Sequence, residues 1–396
     1  MAFTDVLSQP PYPGAKPEEV AEIHIVGRVF SDWETVWVQH RWMDAWPIFR
    51  FTAAERFDPK NPPQLWKTLQ IIPTDQCEII LAGQLAITGI VTVRQTAYDA
   101  NSHAVSIQGM GYVWLTWRGS ILDEKQEYVD MTYVEIATKV LAPFKMVPKV
   151  VGTISSLKFK KVNNETGESV FQFLERIGRT RKVVLGADHL GNILLIGDHE
   201  SDVVDELTEG VNIKSMQCVI KIEDQYDPYV ARGQGPRSNE GSPADAAHQE
   251  AFVDGQLGKY SPLLVSMDHP VWTKAEVDLR AKTEATWGDG TIVEATVVVY
   301  GWLTQAGVLW IQCVGKSVTL NAPMTTLVGQ KLAIRSATCT QDSQSGTQTT
   351  LDLVAGWLLN DKGIVQGVSE PGDAQSTPDQ PAVTGDPRQI KSTRAQ

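Results

Sequence analysis

Three Asp-His dipeptides, Asp188-His189, Asp198-His199 and Asp268-His269, have the side chains to bind a metal ion or move a proton. A metal site needs its ligands to converge on one point at about 2 Å. Asp188-His-Leu-Gly reads as a turn between strands at 182–185 and 192–196, which puts His189 and His199 at opposite ends of a hairpin. No metal centre is expected from them. Paired acids could serve glycoside hydrolysis, where two carboxylates flank a sugar bond. Glu223-Asp224, Asp227, Asp123 and Glu124 are such acids, but they sit in polar, loop-like sequence and read as solvated charge. No H-E-x-x-H, G-x-S-x-G or P-loop spacing occurs, and no helix start with Lys-Ser/Thr follows Gly233-Gln-Gly-Pro. Asn164-Glu-Thr has the form of a glycosylation sequon and reads as a turn. The expectation is a protein with no catalytic residue, no metal and no cofactor.

The remaining reactive side chains point the same way. Cys77, Cys218, Cys313 and Cys339 are far apart, form no C-x-x-C pair, and read as reduced, buried thiols that pack as small hydrophobes. That usage fits folding in a reducing cytoplasm. Of the twelve tryptophans, Trp33, Trp37, Trp42 and Trp46 crowd into one stretch. Tryptophan is enriched at interfaces, so Trp42 and Trp46 are candidate partner contacts beside their ordinary role as core fillers. A net charge of −12 argues against a chain that grips nucleic acid, which needs Lys and Arg on phosphates. The last residues run the other way, with Arg388, Lys391 and Arg394 and no acid, and are a candidate contact with an acidic or polar neighbour.

The elements that would carry these residues are mainly strands. No run approaches the roughly 18 to 20 apolar residues of a membrane span, and the N-terminal segment has neither the basic nor the apolar region of a signal peptide. Residues 1–20 read as an arm. Strand patterns at 22–30, 35–43, 47–53, 77–82, 85–96 and 104–109 make an all-β unit over 21–112. A small α+β unit is expected over 113–207, with helices at 132–141 and 167–178; Val170, Phe173, Leu174 and Ile177 fall at i, i+3, i+4, i+7. A second β unit is expected over 208–366. Its strands lie at 213–223, 228–233, 295–302, 308–311, 318–320, 332–340 and 349–354, with a helix at 272–287 and an inserted surface loop over about 234–270. Residues 367–396 are an extended tail too polar to fold alone.

One internal repeat organises the chain. Gly83-Gln-Leu-Ala-Ile opens a long strand, a polar turn and a return ending Ser106-Ile-Gln-Gly. Gly329-Gln-Lys-Leu-Ala-Ile opens a similar strand, the turn Asp342-Ser-Gln-Ser-Gly and a return ending Leu351-Asp-Leu-Val-Ala-Gly. The fold class expected is therefore mainly β with α+β: two similar antiparallel β-barrel domains, a small α+β domain and an inserted loop and helix region.

The order of these features resembles the Mu-type tail proteins related to the central baseplate hub of contractile-tailed phages. The resemblance rests on Val26-Gly-Arg-Val-Phe-Ser-Asp-Trp-Glu-Thr-Val, on the turn-strand-Gly-strand pattern of 75–89, and on Tyr98-Asp-Ala-Asn-Ser-His-Ala-Val-Ser-Ile-Gln-Gly. It continues through the helix before Pro143-Phe144, Asn164-Glu-Thr-Gly-Glu-Ser-Val-Phe-Gln-Phe-Leu-Glu-Arg-Ile, and Gly186-Ala-Asp-His-Leu-Gly-Asn-Ile-Leu-Leu. Trp302 after a strand and the closing Gly346-Thr-Gln-Thr-Thr-Leu-Asp-Leu-Val complete it, so the likeness spans about 22–355. The chain departs in having Asn164-Glu-Thr-Gly-Glu where the family often has Pro-Gly-Glu, and in its Trp-rich stretch at 42–46. The resemblance implies a non-enzymatic homotrimeric ring carrying two tail-tube-like barrels per chain. The ring would join the hexameric tail tube, or its initiator, to the trimeric central spike and other baseplate proteins. DNA would pass through its lumen, with an acidic or neutral wall. The implied location is the virion tail, assembled in the bacterial host cytoplasm. The alternatives are a tail-tip protein that binds host-surface glycans through its tryptophans, or a peptidoglycan-degrading tail enzyme.

Overall fold

The computed structural model describes residues 19–25, 28–31, 33–43, 46–55, 71–98, 103–122, 127–234, 248–255, 257–267, 271 and 273–359. The arm up to residue 18, the tail from 360 with Arg388, Lys391 and Arg394, and Asp123, Glu124, Asp268 and His269 lie outside the described residues.

The first β unit contains β1 (Ala21–Ile25), β2 (Arg28–Phe30), β3 (Thr35–Arg41), β4 (Ile48–Glu55), β5 (Gln76–Leu81), β6 (Gln84–Tyr98) and β7 (His103–Gly111). The run 22–30, expected as one strand, folds back on itself: β1 and β2 pair antiparallel with Ile23 opposite Phe30. The α+β unit follows with α1 (Trp114–Arg118), β8 (Glu127–Met131), α2 (Tyr133–Leu141), β9 (Lys149–Val151), β10 (Phe159–Asn163), α3 (Val170–Arg179), β11 (Val184–Ala187) and β12 (Ile193–Ile196). Both longer helices start at capping boxes, Thr132 with Glu135 and Ser169 with Gln172, each of which satisfies two backbone donors at the helix start. Their apolar stripes meet in one core: Ile136, Ala137 and Val140 share it with Phe173, Leu174 and Ile177, and the Tyr133 hydroxyl donates to the Leu174 carbonyl at 2.9 Å.

The second β unit holds β13 (Val203–Thr208) and β14 (Ile213–Ile220). Next come β15 (Tyr229–Gln234), β16 (His248–Val253), β17 (Leu263–Ser266) and α4 (Lys274–Gly290), and then β18 (Val293–Tyr300), β19 (Ser317–Ala322), β20 (Leu327–Asp342) and β21 (Gly346–Val354). Three expectations change here. β13 pairs with β19, so it belongs to this sheet rather than to the α+β unit. The region expected as an inserted surface loop contains β16 and β17, which flank β15 in a sheet packed on α4. Ala231, Ala251, Val271, Val277 and Ala281 form its own small core, which a stretch flanked by Gly, Ser and Pro concealed. Residues 310–313, within and just beyond an expected strand at 308–311, form a 3-10 turn that buries Trp310, Ile311 and Cys313.

One hydrogen-bonded sheet of thirteen strands runs through both β units, in the order β14-β18-β21-β20-β3-β4-β7-β6-β5-β1-β2, with β19 on β20 and β13 on β19. The two halves repeat each other. β3-β4-β7-β6-β5-β1 and β14-β18-β21-β20-β19-β13 place strands first to sixth in the same spatial order, once β2 and the insertion are set aside. The one difference of direction is that β1 pairs β5 antiparallel and β13 pairs β19 parallel. The repeat seen in the sequence marks the same corner in both: Gly83 and Gly329 each have positive φ (+73° and +67°), a conformation that costs a side chain dearly.

The halves meet where β3 pairs antiparallel with the second part of β20, from Arg41 opposite Ser336 to Val36 opposite Gln341. The core follows the sheet across this joint. Cys339 of β20 and Trp302, Leu309 and Ile311 pack with Val36, Val38, Phe49 and Phe51. His40 ties a third unit to the joint, with Nδ1 3.2 Å from the Ile311 carbonyl and Nε2 2.9 Å from the Ala187 carbonyl.

A buried ion pair links the α+β unit to the insertion. Arg181, 1% exposed, donates from Nη2 to Glu276 Oε1 at 2.7 Å, and Glu276 is 3% exposed. The guanidinium also stacks 3.8 Å from the Phe159 ring centroid and donates to the Leu157 and Thr180 carbonyls at 3.2 Å. Burial pulls its pKa down, opposed by Glu276, so the pair depends on both charges. Glu276→Ala should destabilise the chain by about 3–5 kcal/mol, the cost of a buried charge left alone. Replacing both residues with apolar side chains of similar volume should recover much of that loss. Urea titration of the two variants checks this, and equal losses would contradict it.

Candidate assembly surface

The residues with chemical potential are absorbed into turns. Asp188 closes the β11–β12 hairpin: Oδ1 accepts from the Asn192 backbone at 2.7 Å and Oδ2 from Lys149 at 2.9 Å. Burial alone would raise its pKa, but Lys149 and Asn192 outweigh it and hold the carboxyl below its ordinary value. Burial lowers the pKa of His189. Asp198 pairs with Lys182 at 2.8 Å, and His199 lies 3.2 Å from the Gly197 carbonyl through Nδ1. Asp224 pairs with Lys221 at 2.9 Å, while Asp227 accepts from the backbone of Gly255 and Gly258 at 3.2 and 3.1 Å. Among the described residues, no three His, Cys, Asp or Glu side chains are grouped so as to hold a metal.

The two candidate tryptophans are placed within the fold. Trp42, half-buried, packs against three of the cores, and its ring covers Gly315 so closely that a Cβ there would sit 2.4 Å from it. Trp46 packs with Trp117 (centroids 5.5 Å apart) and Phe171 (6.3 Å). Trp46, Trp117 and Phe171 line a cleft of about 660 Å³ with Met43, Arg280 and Trp287. Two ion pairs edge it, Arg179–Glu175 and Arg280–Glu284. It brings together no nucleophile and base.

The extended feature of the molecule is the sheet itself, which buries one face. Along β3 the pattern alternates strictly, with Val36, Val38 and His40 inward and Thr35, Trp37, Gln39 and Arg41 outward. Inward positions on its neighbours are Phe49, Phe51, Val105, Ile107, Leu351, Leu353, Val297 and Val299, all buried. The outward face is mainly hydroxyl and amide: Thr52, Ser106, Gln108, Thr338, Thr340, Gln348, Thr350 and Thr296. Its groups bond to one another, Gln39 to Thr338 at 2.9 Å, and Asp352 to Thr296 and Ser336 at 3.0 and 2.5 Å. Cations on it are engaged, Arg335 with Glu294 at 3.5 Å, Arg50 with Gln108 at 3.4 Å and Lys214 with Gln348 at 2.7 Å.

His40, which carried no sequence signal beyond an inward position on a strand, is the buried histidine at the joint. Its pKa lies below the ordinary 6.5, because burial outweighs its two carbonyl partners and Asp188, while His189 adds to the lowering. The neutral ring has one N–H, so one carbonyl receives a hydrogen bond at a time. With a depressed folded pKa, the unfolded chain binds the proton first. The stabilisation from neutral His40 is therefore present above about pH 6.5 and is lost as pH falls below it. Thermal unfolding midpoints should drop between about pH 7 and pH 5, and His40→Gln should flatten part of that slope; an unchanged slope would remove His40 as its source.

Burial raises all four thiols, Cys77 to about 12, Cys313 to about 11, Cys339 to about 12, and Cys218 in the same direction. Cys218 alone is not buried. In the dilute native chain a maleimide near pH 8 should label Cys218 first, the other three only on unfolding, as counted by intact mass.

Comparison with known proteins places this geometry. The 43 kDa tail protein of prophage MuSo2 from Shewanella oneidensis superposes with a TM-score of 0.72 at 19% identity, covering 87% of this chain and 100% of that one. The tail protein from Neisseria meningitidis MC58 gives 0.71 at 18% identity, over 86% of this chain and 98% of that one. A chain of the half-lidded Francisella PdpA-VgrG complex gives 0.52 at 8% identity, over 89% of this chain and 60% of that one. No curated protein matches the sequence. Residues 118–197, which cover most of the α+β unit, match the family model of the gp44-like baseplate hub proteins, second domain. This segment is therefore similar to the second domain of gp44-like baseplate hub proteins, within a chain whose fold is shared with prophage tail proteins.

Proposed function

We propose that the chain is a structural hub of a phage tail baseplate, three copies of which close into a ring between a sixfold tail tube and a threefold spike. The observation that carries this reading is the repetition of one six-strand arrangement within the chain. Three chains then present six similar sheet units to a sixfold neighbour and three copies of everything else to a threefold one. The two repeated halves are the tube-like barrel units of this reading, completed by neighbours in the ring. The gp44-like match and the tail-protein folds support the baseplate setting. The outward face, mainly neutral Thr, Ser and Gln side chains among the described residues, supports a channel wall along which DNA slides, since uncharged groups release no counterions from phosphate. Activity in this reading is mechanical and needs no cofactor.

Single-particle images of the purified protein at high concentration test the reading. Rings of three chains with six similar inner lobes are expected. Rings of any other number, or single chains at every concentration and in isolated tails, would overturn it.

A further inference from the structure

The repeat makes a further comparison possible, because one edge is paired in one half and open in the other. Along one side of β20, the first part pairs with β19 and the second part with β3. The equivalent strand β6 pairs its first part with β5 up to Ile90 opposite Gln76, and just beyond, Val91 exchanges hydrogen bonds with Asp75 and Thr74. Beyond Val91, that side of β6 has no strand partner among the described residues. The strand equivalent to β3 is β14, which pairs β18 on one side and nothing described on the other. Among the described residues, one strand joint is thus made and both halves of a second are unpaired.

We propose that β14 of one copy pairs antiparallel with the second part of β6 of another, reproducing between chains the β3–β20 joint within the chain. This rests on the ring reading above and names the surface that closes it. The pairing partners fix the register. Bulges fall between Ile334 and Ser336 on β20 and between Val91 and Val93 on β6, so Ser336 corresponds to Val93 and Cys339 to Thr96. Through β18 and β4, Cys218 of β14 corresponds to Val38 of β3. Since Cys339 lies opposite Val38, Thr96 should lie opposite Cys218 of the other copy. By the same step Gln95 faces Val219, Arg94 faces Ile220 and Ala97 faces Gln217.

The exposed side chains suit this partner. Val93, Val219 and Ile220 are 45%, 43% and 46% exposed, although each sits on a strand. Val93 and Val219 would become diagonal neighbours on one face of the joined sheet. Met216 and Cys218 already pack half-buried against the core on the other face. Arg94 has a buried Nε with no hydrogen-bond partner among the described residues, at the edge where the new strand would arrive. An open edge with apolar side chains is a pairing site, and a second copy is the partner whose matching edge is itself open.

Opposite residues of an antiparallel pair have Cβ atoms about 4.5–5.5 Å apart, within reach of a disulfide or a one-carbon bis-thiosulfonate. The native Cys218 therefore supplies half of a cross-link. Thr96→Cys, treated with a mild oxidant under ring-forming conditions, should shift most of the chain into covalent dimers and closed trimers on non-reducing gels. Thr96→Cys with Cys218→Ser should not, and Gln95→Cys should not, because that side chain points to the other face. Wild-type rings counted by imaging keep the two claims separate. Three-chain rings with no Thr96→Cys cross-link, or with cross-linking only from Gln95→Cys, would overturn the joint and leave the ring. Wild-type cross-linking through Cys218 alone would mean β14 pairs with β14 about a twofold axis, which overturns it too. If the chain forms no rings and no cross-links, both the ring and the joint fall.

Discussion

The pairing of β3 with the second part of β20 is the constraint on which the rest of the architecture depends. Six residue pairs, from Arg41 with Ser336 to Val36 with Gln341, bring together segments some 300 positions apart and turn two sheets into one. Register matters because side chains alternate across a strand. A slip of one residue would turn Val36, Val38 and His40 outward and bring Trp37 and Gln39 into the core. The joint also sets where the cores lie. Cys339, Trp302, Leu309 and Ile311 come from the second half in sequence, yet they pack with Phe49 and Phe51 of the first. Glu19 is held by the same seam: its carboxylate accepts from the Trp302 backbone at 2.9 Å, and its carbonyl from Gln341 at 3.1 Å.

Local structure was legible where a local cause exists. Helices α2 and α3 follow from their apolar spacing and capping residues, all within a dozen positions. The Gly83 and Gly329 corners were visible because a left-handed turn selects glycine. Partner choice was not legible, since nothing in Thr35–Arg41 says which distant strand it will meet. The hairpin of β1 and β2 was hidden because both arms carry the same alternation and a strand-like run bridges them. The 3-10 turn at 310–313 overlaps apolar sequence that passes for a strand, but its Trp310, Ile311 and Cys313 all need burial on one short stretch. β16 was hidden by composition, because its partner β15 and its cover α4 lie outside the polar segment that contains it.

The candidate chemistry divides for a similar reason. Asp188 and Asp227 are typed like catalytic acids, and no spacing rule separates a carboxylate that caps a turn from one that moves a proton. Their partners separate them. Asp188 accepts from the Asn192 backbone across its own hairpin turn and from Lys149, which holds its charged form in place, while Asp227 accepts from the backbone of Gly255 and Gly258 in a distant segment and ties the two segments together. His40 is the converse case. It looked like any inward residue of a strand, and it carries the one buried imidazole contact among three units.

In the proposed ring, the repeat would let one chain present two symmetries. Its sheet is duplicated, but its additions are not. The α+β unit follows β7, and nothing of comparable size follows β21 within the described residues. The insertion of β15–β17 and α4 lies between β14 and β18, whereas the equivalent β3–β4 connection spans only residues 42–47. The two additions lock to one another through Arg181 and Glu276, so they form one asymmetric body beside a pseudo-symmetric sheet. Any closed ring built from this chain therefore repeats its inner sheet twice as often as that body. A neighbour that grips the sheet and a neighbour that grips the additions meet different symmetries on the same ring, with no second protein needed to convert one into the other.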